Sequence, residues 1–317
     1  MIRRFKKFTN KKTRLIYSGR CKKKVIEWYF GNICNINCSY CLNAYTRRDY
    51  YRNMTFEETN KTIDFINSID GIYQIVFIGG EPSRFKHCLY AIEKINKSCR
   101  INIMTNGLDE KFIEDAVKLA TFEKNLLICC SMHYEYYLQD KVKYMQHLYR
   151  LVEICKDNPH VELEFLILLD DKRTIEYKEL VQWIIRNAIG FKENFGYSIS
   201  YVRRDNMVNE AIKNYVITSI FDKDVRDKLR RNLKTERMSF INENPNYHKP
   251  CNCFRYYMHI CLDGRLKHAD CNSPIYSKKS IFDDDFNLED EFRCIECCEK
   301  HTENNGICNV VLGKFKR

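Results

Sequence analysis

Apolar residues along this chain recur in two alternating patterns. Short β-branched and aromatic runs predict buried strands at Lys24–Phe30, 73–78, 100–105, 126–132, 161–169 and 197–202. Between them, apolar positions spaced by three and four predict helices after Thr55 and over 84–97, 109–120, 137–156 and 175–188. Thr55 is placed to cap the first of these, with Glu58 three residues on; Ile63, Phe65 and Ile66 then face a core. Six strands, each but the last followed by a helix, imply parallel βαβ units with right-handed crossovers, hence an α/β fold. After residue 205 the pattern changes. Residues 206–249 read as a connector, helical near 207–235 and then polar, and cysteines return in bulk beyond it.

The loop after the first strand carries the first candidate chemistry: Cys34, Cys38 and Cys41, spaced Cys-x3-Cys-x2-Cys. Three thiolates within eight residues cannot close a four-coordinate site alone. They can hold three corners of a cubane iron–sulfur cluster and leave the fourth iron open, since each iron takes one thiolate. The alternative is a partial zinc knuckle completed by a distant ligand.

Two further motifs end the next strands: Gly79-Gly80-Glu81-Pro82 and Thr105-Asn106-Gly107. Together, and in this order, the three motifs resemble the radical S-adenosylmethionine (SAM) enzymes over roughly Lys24 to Arg203. That resemblance implies a curved, open, partial (β/α)6 TIM-like barrel. It also implies a [4Fe-4S] cluster on Cys34, Cys38 and Cys41, whose open iron chelates SAM. An electron then splits the sulfonium, and the resulting 5′-deoxyadenosyl radical abstracts a substrate hydrogen. Tyr40 resembles the family's aromatic beside the adenine. Gly79 and Gly80 allow close backbone approach, Glu81 or nearby carbonyls can accept from the SAM ammonium, and Pro82 stiffens the exit. Thr105 and Asn106 offer hydrogen bonds to SAM, although Asn-Gly is also a plain turn. Ser131, ending the fourth strand, carries over as a polar contact to SAM. His133 is placed to meet substrate or move a proton, or to serve as a structural histidine. Arg203 can meet a carboxylate or lie solvated. Cys129 and Cys130 read as core cysteines.

The chain has 17 cysteines in 317 residues. Its N-terminus is charged throughout and lacks an apolar signal segment, and no run approaches the ~20 apolar residues of a membrane span. Many cysteines without a secretion signal argue for metal or cluster binding in a reducing, cytoplasmic setting.

The C-terminal cysteines are 251, 253, 261, 271, 294, 297, 298 and 308. Asp263-Gly264 supplies a hairpin turn among them. This segment resembles the SPASM or shorter twitch appendage of radical SAM enzymes, which implies an auxiliary iron–sulfur cluster on Cys253, Cys271, Cys294 and Cys297. It departs from that pattern in the long spacing from Gly264 to Cys271 and in the competing Cys251, so one cluster is expected rather than two. A structural zinc ribbon is the rival. The division expected is a basic arm (1–23), a partial barrel (24–205), a helical connector (206–249) and a small Cys-rich β-hairpin domain (250–317).

The net charge of +11 originates in residues 1–25, which hold 11 Lys or Arg and no acid. Such an arm can dock on an acidic partner or nucleic acid, or simply be solvated. The resemblance implies an electron donor such as flavodoxin or ferredoxin and a peptide or protein substrate. A nucleoside, tRNA or other small molecule is the alternative substrate. A non-catalytic zinc protein that binds nucleic acid is the alternative of another class, against which the ordered barrel motifs speak.

Overall fold

In the computed structural model the described residues are 24–38, 41, 51–169, 176–187, 195–201, 223, 250–251, 257–267, 276–291 and 295–296. The basic arm, most of the connector, Tyr40, Arg203, Cys253, Cys271, Cys294 and Cys297 lie outside them.

The six expected strands form: β1 (Lys24–Tyr29), β2 (Ile72–Ile78), β3 (Cys99–Thr105), β4 (Lys124–Ser131), β5 (Val161–Leu169) and β6 (Phe195–Tyr201). They pair in sequence order and all in parallel. Helices follow the first five: α1 (Phe56–Ser68), α2 (Cys88–Lys94), α3 (Glu110–Lys118), α4 (Tyr134–Gln139), α5 (Lys141–Cys155) and α6 (Lys178–Asn187). Alternate strand residues turn toward these helices. Ile75, Phe77, Ile101, Ile103, Leu126, Ile128, Leu163 and Phe165 meet Ile63, Ile66, Ile92, Ile113, Leu148 and Ile184 in one apolar core. Cys130 lies in that core, whereas Cys129 is buried on the opposite face, 3.9 Å from Oε1 of Glu164.

Capping explains the helix boundaries. Thr55 and Glu58 form a reciprocal box at the start of α1, with Glu58 N–H donating to Thr55 Oγ1 and Thr55 N–H to Glu58 Oε2. The helix expected over 137–156 is two helices. Asp140 is extended (φ −153°, ψ 92°) and its carboxylate accepts from Lys143 N–H, so it caps α5 instead of continuing α4. The helix expected over 84–97 shortens to α2, because Pro82–Arg84 forms a separate 3-10 turn that Glu81 caps.

The C-terminal hairpin also forms. Strands β8 (Tyr257–Ile260) and β9 (Arg265–Lys267) are antiparallel around Asp263-Gly264, where Gly264 has φ +75°. β10 (Tyr276–Ser280) adds to β9. β8 lies parallel to β1, so the hairpin extends the barrel sheet, in the order β10-β9-β8-β1-β2-β3-β4-β5-β6. A second small ladder joins β7 (Pro250–Cys251) to β11 (Ile295–Glu296), with Cys251 opposite Ile295. A short helix, α7 (Leu288–Glu291), completes the described elements. Among the described residues no helix is long and apolar enough to cross a membrane.

Candidate active site: a clamped cysteine loop

The cysteine loop leaves the C-terminal end of β1, where βα barrels place their chemistry. Its base is gripped on both sides by backbone. On one side Asn32 N–H donates to Arg52 O at 3.1 Å and Met54 N–H to Phe30 O at 2.8 Å. On the other, Gly80 N–H donates to Gly31 O and Glu81 N–H to Ile33 O, each at 2.8 Å. Residues 30–33 therefore form the middle layer of a three-layer clamp. The approach is too close for side chains. A Cβ at Gly79 would stand 2.2 Å from Gly31 O, and one at Gly80 would stand 2.1 Å from Ile33 O. Gly79 also holds φ +135°, which disfavours any L residue. The Gly-Gly pair thus serves first to seat the cysteine loop.

Side chains complete the clamp. Asn53 Oδ1 accepts from Ile33 N–H at 3.3 Å while its Nδ2 donates to Arg84 O at 2.8 Å. Arg52 holds Glu58 bidentately at 2.7 and 3.0 Å, and its Nη2 lies 3.4 Å from Leu262 O in the β8–β9 hairpin. Tyr51 hydroxyl donates to Cys34 O at 3.4 Å. Asn32, Asn35, Arg52 and Asn53 were not singled out from the sequence. None of the four is a signature position of a motif, and only their long-range partners reveal their part.

Glu81 is buried, and both its oxygens are engaged within the protein. Oε1 accepts from Thr105 Oγ1 at 2.5 Å and from Ser83 N–H at 3.4 Å; Oε2 accepts from Asn106 N–H at 2.7 Å. Burial pushes this carboxyl above its ordinary value, against the pull of those hydrogen bonds. Asn106 is likewise committed: Nδ2 donates to Asn35 Oδ1 at 2.7 Å, and Oδ1 accepts from Leu108 N–H at 3.0 Å. Thr105 Oγ1 also accepts from Gly107 N–H at 3.0 Å. In this arrangement Glu81, Thr105 and Asn106 join the ends of β2 and β3 to the cysteine loop. Pro82 is buried at the start of the 3-10 turn, and Ser131 ends β4 partly exposed.

None of Cys34, Cys38 and Cys41 is in a disulfide. A turn brings Cys41 N–H to Cys38 O at 3.2 Å. Burial, and then the nearby thiols of Cys38 and Cys34, push up the hydroxyl of Tyr136 on α4. Cys38 is buried, with its Sγ 3.3 Å from Nδ1 of His133; burial pushes that imidazole down to about 4. Among the described residues no three metal-binding side chains gather around one ion position. Thiolates that each take a different iron of a cubane are not required to share one. Unbridged thiols, two of them partly exposed, on a loop fixed by backbone fit that donor role.

Residues 28–125 match the radical SAM superfamily model. The fold, with its parallel sheet, is similar to the partial TIM barrel of solved radical SAM structures. It is 28% identical over 144 residues to a protein of Methanocaldococcus jannaschii provisionally named a glycyl-radical enzyme activating enzyme. That match covers 43% of this chain and 58% of the relative. Among solved structures it is similar to anSMEcpe with bound AdoMet (TM-score 0.55, 18% identity, 85% of this chain and 82% of the other). It is also similar to Streptococcus suis SuiB bound to the precursor peptide SuiA (TM-score 0.54, 15% identity, 89% and 67%).

Proposed function

We propose that this chain cleaves SAM reductively at a [4Fe-4S] cluster held by Cys34, Cys38 and Cys41 and uses the product radical on a peptide or protein. The observation that carries this reading is the clamp: three family motifs, distant in sequence, are hydrogen-bonded into one loop seat. When bound, the cluster and SAM supply an electron and the 5′-deoxyadenosyl radical, and with them hydrogen abstraction. The protein does the rest. The Gly79-Gly80 seat fixes the loop, and Glu81 with Thr105 and Asn106 keeps the strand ends from drifting. With both oxygens engaged inside the protein, the Glu81 carboxylate serves the loop seat.

Below the mouth, the sheet face turned from the helices carries charged pairs among apolar residues such as Val25, Val76 and Leu127. Arg100 donates to Glu162 at 2.7 Å, and Glu27 sits 3.3 Å from His259. A substrate with both polar and apolar groups suits such a floor. A peptide or protein also agrees with the relatives: one is provisionally named an activating enzyme for another enzyme, and one is bound to a precursor peptide.

Cys253, Cys271, Cys294 and Cys297 are our candidates for an auxiliary cluster. The β7–β11 ladder supports this, because Ile295–Glu296 lies in sequence between Cys294 and Cys297 and pairs with Pro250–Cys251. A flavodoxin or ferredoxin would supply the electron.

Oxygen-free reconstitution tests the reading. The expected protein is brown and releases 5′-deoxyadenosine when reduced with SAM, and Ala at Cys34, Cys38 or Cys41 abolishes that release. Colourless protein holding stoichiometric zinc would overturn it.

A further inference from the structure

His133 lies at the junction of β4 and α4, and three backbone contacts fix its place. Its N–H donates to Tyr144 Oη at 3.2 Å, and its carbonyl accepts from Tyr136 and Tyr137 N–H at 3.1 and 3.2 Å. The preceding Met132 N–H still pairs with β5, at 2.9 Å from Leu166 O. The ring is therefore carried by the barrel and not by the cysteine loop, yet its Nδ1 stands 3.3 Å from Cys38 Sγ across 95 positions of sequence. His133 is only 8% exposed and Cys38 is equally buried.

We propose that His133 is a positioning residue for the cluster, its Nδ1–H hydrogen-bonded to the ligating sulfur of Cys38 and setting how readily the cluster takes up its electron. The proposal rests on the reading of Cys38 as a ligand. A cluster-bound thiolate only accepts, so a nitrogen at this distance must carry the proton; the contact selects the Nδ1–H tautomer. An N–H donated to the sulfur draws charge off the thiolate and favours the reduced state. Hydrogen bonds to cluster sulfurs are among the determinants of potential. Burial strengthens the effect, since little water competes for the sulfur. The proton on Nδ1 is then committed to sulfur, and His133 does not exchange it with substrate.

The test is a redox titration of the reconstituted protein, followed by electron paramagnetic resonance (EPR), comparing wild type with His133→Phe at equal iron content. The expected result is an about tenfold fall in the ratio of reduced to oxidised cluster at a fixed potential, equal to about 59 mV for a one-electron couple. An unchanged ratio in an iron-loaded Phe variant would overturn the proposal while leaving the cluster reading intact. If wild type itself takes up no cluster, the cluster reading fails instead. Should the Phe variant not load iron, pulsed EPR of the reduced wild-type cluster, labelled with 15N-histidine, decides. A 15N coupling supports the hydrogen bond, and its absence refutes it.

Discussion

The hydroxyl of Thr105 donates to Oε1 of Glu81 at 2.5 Å, tying the end of β3 to the turn that follows β2. The same carboxylate takes Asn106 N–H at 2.7 Å. Glu81 thus acts as a latch between two motifs 24 residues apart. Glu81→Ala leaves a buried hydroxyl and a buried amide without an acceptor, at a cost of about 1–3 kcal/mol for each. Denaturant unfolding of the apoprotein should show this loss, and the reconstituted variant should retain less iron. An unfolding midpoint equal to wild type would show that the latch holds nothing.

The same residue predicts a pH dependence. Burial is the largest influence on Glu81 and raises its carboxyl above the ordinary value of 4.5. The folded state then holds the proton more tightly than the unfolded chain, so stability falls as pH rises between the two values. Below the ordinary value, the contribution of Glu81 is fully present; above the folded value, it is lost. Relative to Glu81→Gln, which does not titrate, wild type should therefore lose ground as pH climbs through this window. Urea midpoints over a pH series measure it. A gap moving the other way would mean that the three hydrogen bonds outweigh burial.

Gly79→Ala and Gly80→Ala each drive a methyl group to about 2 Å from a backbone oxygen of the cysteine loop. Overpacking of this kind typically costs about 1–3 kcal/mol, and here the atom that must move belongs to the loop itself. Both variants should fold the barrel, with circular dichroism close to wild type, and bind markedly less iron. Full iron retention in either would show that the loop seat is more forgiving than the packing implies.

Asn106→Asp keeps the size of the side chain but replaces the Nδ2 donor with an oxygen facing Asn35 Oδ1. Acceptor then meets acceptor where a 2.7 Å hydrogen bond stood. The expected outcome is a looser cysteine loop, read as faster loss of iron to a chelator. Asn35→Ala in the same background should add little, because the partner interaction is already gone. Independent, additive losses would contradict the pairing.

Much of this molecule is determined by sequence alone, because local rules suffice for it. Strand and helix periods predicted all six parallel strands. The Thr55–Glu58 box and the Asp263-Gly264 turn are short-range chemistry that operates wherever those residues stand together. The cysteine spacing marked the loop for the same reason. Tertiary structure decided which side chains face one another. Glu81, offered by its motif to a ligand, turned inward because Thr105 and Asn106 arrive there with two donors. His133 came to Cys38, and β8 settled against β1, through crossovers that no local pattern encodes. Partner choice depends on distances closed across tens to hundreds of residues. Period and propensity end at the element, so they specify where a group is carried but not what it meets.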